Sequence, residues 1–193
     1  MSVAIIDYGA GNIQSLRFAL ERLGVAAKLT DQVDEIQQAD RVIFPGVGEA
    51  RSAMTKLQAS RLDNLIPTLT QPVLGICLGM QLMCAHTEEG DTTGLGIFDT
   101  QVRRFDNQLK VPHMGWNTSK HNTSGLFDGI ANECYFYMVH SFYAQMCDET
   151  IASMEYGLAF STALQKDNFY GVQFHPEKSS KAGAKLLENF LKL

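Results

Sequence analysis

The sequence has no C-x-x-C pair and no cysteine–histidine spacing of the zinc-binding kind, so its four cysteines, Cys77, Cys84, Cys134 and Cys147, read as free thiols. It has no excess of basic residues. Sixteen Lys and Arg against twenty-one Asp and Glu leave a net charge of -5, which argues against a nucleic-acid surface. It also has no long apolar run. The longest, Val73 to Ala85, is interrupted by Gln81 and is too short to cross a bilayer. Asp7 stands where a secretory leader would need its apolar centre, so the expected location is the cytoplasm, away from membranes. Linkers, charge runs, repeats and low-complexity tracts are missing too, and residues 1–193 read as one domain. With 45% hydrophobic residues, that length can bury a full core without metal or disulfide support.

What is present alternates. "VAIID" (3–7) reads as a strand, "YGAGN" as a turn, and the segment from about Ile13 to Leu23 as a helix with Leu16, Leu20 and Leu23 on one face. "AAKLT" and "RVIFPG" read as strands around a short helical "VDEIQQA", and "EARSAMTKLQASRLDNLI" as helical. Pro72 opens a strand "VLGI", and a helix is expected after Gly79. Strands separated by helices imply a parallel sheet, because parallel neighbours need crossovers. The second half is richer in aromatic and β-branched residues with hairpin-length breaks, which implies mixed or antiparallel strands. The expected class is α/β: an open, mostly parallel sheet with helices on both faces and additional antiparallel strands in the C-terminal half. A closing helix, "SSKAGAKLLENFLKL", is expected to be capped by Ser179 or Ser180.

Chemistry concentrates in "GICLG" (75–79). A nucleophile between glycines fits a tight strand-to-helix turn in which flanking side chains would collide. Such a turn puts Cys77 at a helix N-terminus, which favours a thiolate, and places the Leu78 N–H to bind an oxyanion. A small buried structural residue is the competing reading of Cys77. "YGVQFHPE" offers a base, His175, with Glu177 two residues on and on the same face if the segment is extended. "FPGVGEA" (44–50) ends a strand in a loop able to turn N–H groups toward developing negative charge. "DYGAGN" lacks the third glycine of a dinucleotide fingerprint, since position 14 is Gln14, and implies no cofactor. Cys84 is expected on the same helix as Cys77, in the core, and Cys134 and Cys147 beside an aromatic strand. His86 and His121 read as solvated loop residues, and no metal site is indicated.

Taken together, "GICLGMQ" (75–81), "FPGVG" (44–48) and "FHPEKS" (174–179) resemble the class I, triad-type glutamine amidotransferases over nearly the whole chain. "DYGAGN", "VPHMGWN" (111–117) and "YMVHSFY" (137–143) resemble, within that class, the glutaminase subunits of imidazole glycerol phosphate synthase in histidine biosynthesis. The resemblance implies that Cys77 attacks L-glutamine, that His175 is base and then acid, and that Glu177 orients it. It implies an oxyanion hole at Leu78 and the Gly46–Val47 segment, and substrate contacts from Gln81 and Ser141. It implies no cofactor. Its partner is a TIM-barrel cyclase subunit forming a heterodimer, with Asn12, His113, Trp116, Tyr137 and Lys178 at matching interface positions and Trp116 in an ordered loop. Two other readings remain open on the residues alone: a stand-alone cysteine hydrolase of the γ-glutamyl peptidase kind, and a non-enzymatic regulatory protein on the same scaffold.

Overall fold

A computed structural model describes residues 1–9, 13–106, 108–121 and 125–193. Its elements run β1 (Val3–Ile6), α1 (Ile13–Arg22), β2 (Ala27–Thr30), α2 (Val33–Gln38), β3 (Arg41–Gly46), α3 (Ala50–Ala59), α4 (Leu62–Leu65), β4 (Val73–Cys77) and α5 (Leu78–Met83). Then follow β5 (Cys84–Thr87), β6 (Thr92–Thr93), β7 (Phe98–Arg104), β8 (His113–His121), β9 (Cys134–His140), β10 (Phe142–Ala144), β11 (Thr150–Glu155), β12 (Ala159–Lys166), β13 (Phe169–Val172) and α6 (Ser180–Lys192).

The N-terminal strands β1 and β4 are buried at every position, as strands covered on both faces must be. They belong to a parallel set in the order β2, β1, β3, β4, β13. From β13 the sheet turns mixed, passing through β12, β10, β7 and β5 to β6, with β11, β8 and β9 branching from β12. The exposed partner strands show the other signature: β7 buries every second residue from Phe98 to Val102. Period-two alternation divides the core. Ala4, Ile6, Val42 and Phe44 face one side with helices α2 to α5, while Val3, Ile5 and Ile43 face the other with Leu20 of α1 and Leu187 and Phe190 of α6. Helices therefore cover both faces, as the alternation of the N-terminal half predicts.

Several local expectations give way. The helix after β4 begins at Leu78, directly after the cysteine, and stops at Met83, so Cys84 is a buried strand residue and not a helical one. Residues 95–97 take its last carbonyls, Leu95 N–H donating to Leu82 O at 2.7 Å and Ile97 N–H to Met83 O at 2.9 Å, which draws the chain out of the helix. The helical stretch after Glu49 breaks at Arg61, whose φ of 58° is left-handed. "VPHMGWN" lies largely in strand β8, because Trp116 pairs with Tyr137 and Gly115 with Met138 across the β8–β9 ladder. His86 sits in β5 with Nε2 3.0 Å from Asp91, and His121 closes β8 stacked on Phe127, so neither is a free loop residue. Ser179 occupies the position before α6 but makes no side-chain cap.

The glycines of the elbow are explained by contact distance. A Cβ on Gly75 would meet Met83 Sδ at 2.5 Å and Met80 N at 2.9 Å, and one on Gly79 would overlap the Phe44 carbonyl, because α5 lies directly against β3. Gly79→Ala is expected to lower stability by at least about 2 kcal/mol in urea unfolding. An unchanged midpoint would show that α5 can back away from β3.

Candidate active site

Cys77 ends β4 and precedes α5 with φ 54° and ψ -111°, a backbone state that L-residues rarely adopt. The turn that forces it puts the side chain at the carboxyl end of the parallel strands, where open α/β sheets bind ligands. Gly46, the last residue of β3, is in register with Cys77.

The strand on the other flank of β4 supplies the base. Beyond β13 the chain runs through Gln173 and Phe174 to His175, which is 4% exposed. Here the extended segment expected from sequence is replaced by a 3-10 turn over Pro176–Lys178. The turn still brings Glu177 Oε1 to 2.9 Å from His175 Nδ1, with both side chains at least nine-tenths buried. Pro176 favours that turn at its first position, where a missing N–H costs nothing. Ser179 then does what a cap would not: its Oγ donates to the His175 carbonyl at 2.7 Å and accepts the Tyr137 N–H at 2.9 Å, while His175 N–H donates to Tyr137 O at 3.1 Å. The base is strapped to β9.

Burial alone would push the His175 imidazole down, but the Cys77 sulfur it faces and the Glu177 carboxylate outweigh burial and hold it up at about 10. The upward shift favours the protonated ring, bonded through Nδ1 to the carboxylate, a form able to deliver a proton to a leaving group. The neighbouring histidine behaves oppositely. His140 is buried without an acid, and burial, with the nearby His113 and His175, holds it down at about 3 despite its bond to the Phe142 carbonyl.

A pocket of about 310 Å³ opens over these groups, lined by Cys77, His175, Leu78, Val47, Gln81 and Ser141 among others. Gly48, with φ 105°, lines it in place of Gly46, which borders a smaller cavity beside Glu177. Gln81 spends both amide hydrogens internally, on Phe142 O at 3.0 Å and Gln173 Oε1 at 2.8 Å, leaving its carbonyl oxygen to offer a ligand. Two lining or adjoining residues went unread in the sequence. Glu89 lines the pocket, accepts the Ala50 N–H at 2.9 Å, and is raised by burial. Its place in the charged run "TEEGD" looks like ordinary surface. Gln173, fully buried, puts Nε2 3.7 Å from Cys77 Sγ, and nothing in "GVQFHPE" marks it apart from the histidine it precedes.

The expected interface positions divide. Trp116 is half exposed, its ring 6.1 Å edge-to-face from Tyr137, and Lys178 Nζ lies 5.9 Å above the Tyr137 ring and also lines the pocket. His113 does not join them: it is 5% exposed, stacked on Tyr156 and 3.0 Å from His140 Nε2, so β8 turns it inward while Met114 and Trp116 face out. Asn12 lies outside the described residues. Among the described residues no three His, Cys, Asp or Glu side chains are grouped to hold a metal, and no helix is long and apolar enough to cross a membrane.

The family model for class I glutamine amidotransferases matches residues 4–193. The imidazole glycerol phosphate synthase subunit HisH of Bacteroides thetaiotaomicron is 56% identical over all of both chains. The chain belongs to the class I glutamine amidotransferases, in their HisH family. The HisH subunit of Bacteroides fragilis is 53% identical, again over all of both chains. A crystal structure of a glutamine amidotransferase, 16% identical, superposes with a TM-score of 0.77 over 100% of this chain and 98% of that one, and shows the amidotransferase fold.

For an amidotransferase with this charge arrangement the pH dependence has a definite sign. A raised imidazole contributes stability that is complete below its ordinary value of 6.5 and is lost as pH rises toward about 10. Unfolding free energy should therefore fall between pH 7 and 10 more steeply in the native chain than in His175→Gln; parallel curves would contradict a bound proton on His175.

Proposed function

We propose that this chain is the glutaminase subunit of an imidazole glycerol phosphate synthase. The observation that carries the reading is the meeting of Cys77 and His175, the latter bonded to the buried Glu177, at one pocket whose wall also holds an acceptor carbonyl, Gln81, and a carboxylate, Glu89. An amino-acid substrate needs such a wall for its α-ammonium group; Ser141 and neighbouring main chain assist.

Cys77 Sγ attacks the carboxamide carbon of L-glutamine, and the carbonyl electrons move to oxygen. The N–H groups of Leu78 and of the Gly46–Val47 segment receive that oxyanion. His175 gives its proton to the departing nitrogen, so ammonia leaves and a γ-glutamyl thioester remains. Water then attacks the thioester carbon, His175 takes its proton, and collapse of the second oxyanion expels the thiolate and glutamate. Glu177 orients the ring throughout, in its charged form before ammonia leaves and after water attacks and in its neutral form between.

The ammonia is passed to a TIM-barrel cyclase subunit docked on the exposed Trp116 and Lys178 and the partly buried Tyr137. Lys178 belongs to both the pocket and that face, which gives the two sites a common edge. In the cyclase, ammonia reacts with a phosphoribulosyl-formimino carboxamide nucleotide to give imidazole glycerol phosphate and the aminoimidazole carboxamide ribonucleotide. Residues 1–193 act as one domain, in the cytoplasm, with neither cofactor nor metal.

In the complex, Cys77→Ala should lower glutamine-dependent synthesis by about a thousandfold or more and leave ammonia-dependent synthesis within about twofold of the native rate. Equal loss of both would refute the division of labour, and full glutaminase turnover by the isolated native chain would favour a stand-alone hydrolase.

A further inference from the structure

We infer that Gln173 is a catalytic residue that donates a hydrogen bond to the Cys77 thiolate and, through the same amide group, fixes Gln81 in its substrate-accepting orientation. The inference rests on the reading of Cys77 as nucleophile and Gln81 as substrate contact. Gln173 is fully buried and cannot turn to water. Its Nε2 lies 3.7 Å from Cys77 Sγ, within reach of a sulfur acceptor, and its Oε1 accepts from Gln81 Nε2 at 2.8 Å.

The polarity of this chain allows one arrangement. A thiolate accepts only, so Gln173 must turn its NH2 group to the sulfur and its carbonyl to Gln81. Gln81 must answer with its own NH2, whose second hydrogen goes to the Phe142 carbonyl at 3.0 Å. That carbonyl is held in turn by the His140 Nδ1–H at 2.7 Å, and the neutral His140 accepts at Nε2 from His113 Nδ1 at 3.0 Å. Both hydrogens of the Gln81 amide are then spent. Only the Gln81 carbonyl oxygen is left for the pocket, where it suits the α-ammonium of glutamine. With the Gln173 amide reversed, its oxygen would face the thiolate and its NH2 would face the NH2 of Gln81. The contact to the attacking sulfur and the clamp that recognises the substrate thereby share one amide group.

Two variants of the full chain in complex with its cyclase test this: Gln173→Leu, which removes both bonds, and Gln173→Glu, which keeps the shape but turns an oxygen toward the sulfur. The readouts are the rate of Cys77 alkylation by iodoacetamide at pH 7, which makes no use of Gln81, and the KM for glutamine. Loss of a hydrogen bond to a charged group predicts alkylation about tenfold slower, with KM raised about tenfold. Gln81→Leu should raise KM with alkylation slowed less, and combining it with Gln173→Leu should give less than the product of the two KM effects, because both act through one contact. Native alkylation rates in Gln173→Leu, or in Gln173→Glu should the first variant not fold, would overturn the inference, as would KM effects that multiply. Those results leave the glutaminase reading standing, which fails separately if Cys77→Ala still uses glutamine.

Discussion

The left-handed backbone at Cys77 is the constraint on which the rest of the site depends. A non-glycine residue at φ 54° sits in a poorly populated region and persists only where its surroundings leave no alternative. Those surroundings are β4, hydrogen-bonded between β3 and β13, and α5, packed so closely on β3 that position 79 has no room for a side chain. The same crowding delivers the chemistry. It sets the thiol at the carboxyl end of the sheet, in the wall of the pocket, with the first turn of α5 beside it.

Strand order then places the base. β13 lies beside β4, so residues just past its end arrive at the cysteine without a long loop, and the turn at Pro176 folds Glu177 back onto His175. Two hydrogen bonds, from Tyr137 N–H to Ser179 Oγ and from His175 N–H to Tyr137 O, join that turn to the β8–β9 hairpin, and a third, from Ser179 Oγ to His175 O, closes the turn on itself. Trp116 and Tyr137 are cross-strand partners in the same hairpin. A protein docked on the exposed Trp116 ring would press on an element bonded directly to the backbone of the base. The geometry couples surface to site through two shared strands.

Much of this was legible in the sequence, because it is written in local steric rules. Glycines around Cys77 announce an elbow, His-Pro-Glu announces a base and its acid though in an extended segment where the structure has a 3-10 turn, and alternating apolar segments announce a doubly covered parallel sheet. What escaped depends on contacts between distant segments. Cys84 leaves the helix because residues 95–97 claim its final carbonyls. Ser179 straps β9 where local propensity predicts a cap, and His113 points inward because Tyr156 and His140 stack and bond to it. Glu89 and Gln173 gain their positions only from the packing of their segments against Ala50 and Cys77.

The central claim is that one thiol of four is built to attack glutamine. Cys84 is fully buried and pushed up by burial, and burial also raises the half-buried Cys134 and Cys147, whereas Cys77 lines a pocket together with His175. The direct measurement is treatment of the complex with diazo-oxo-norleucine, an electrophilic glutamine analogue, followed by peptide mass mapping. The account predicts a single adduct, on Cys77, prevented by excess glutamine. An unmodified Cys77, or label shared among the other cysteines, would contradict it.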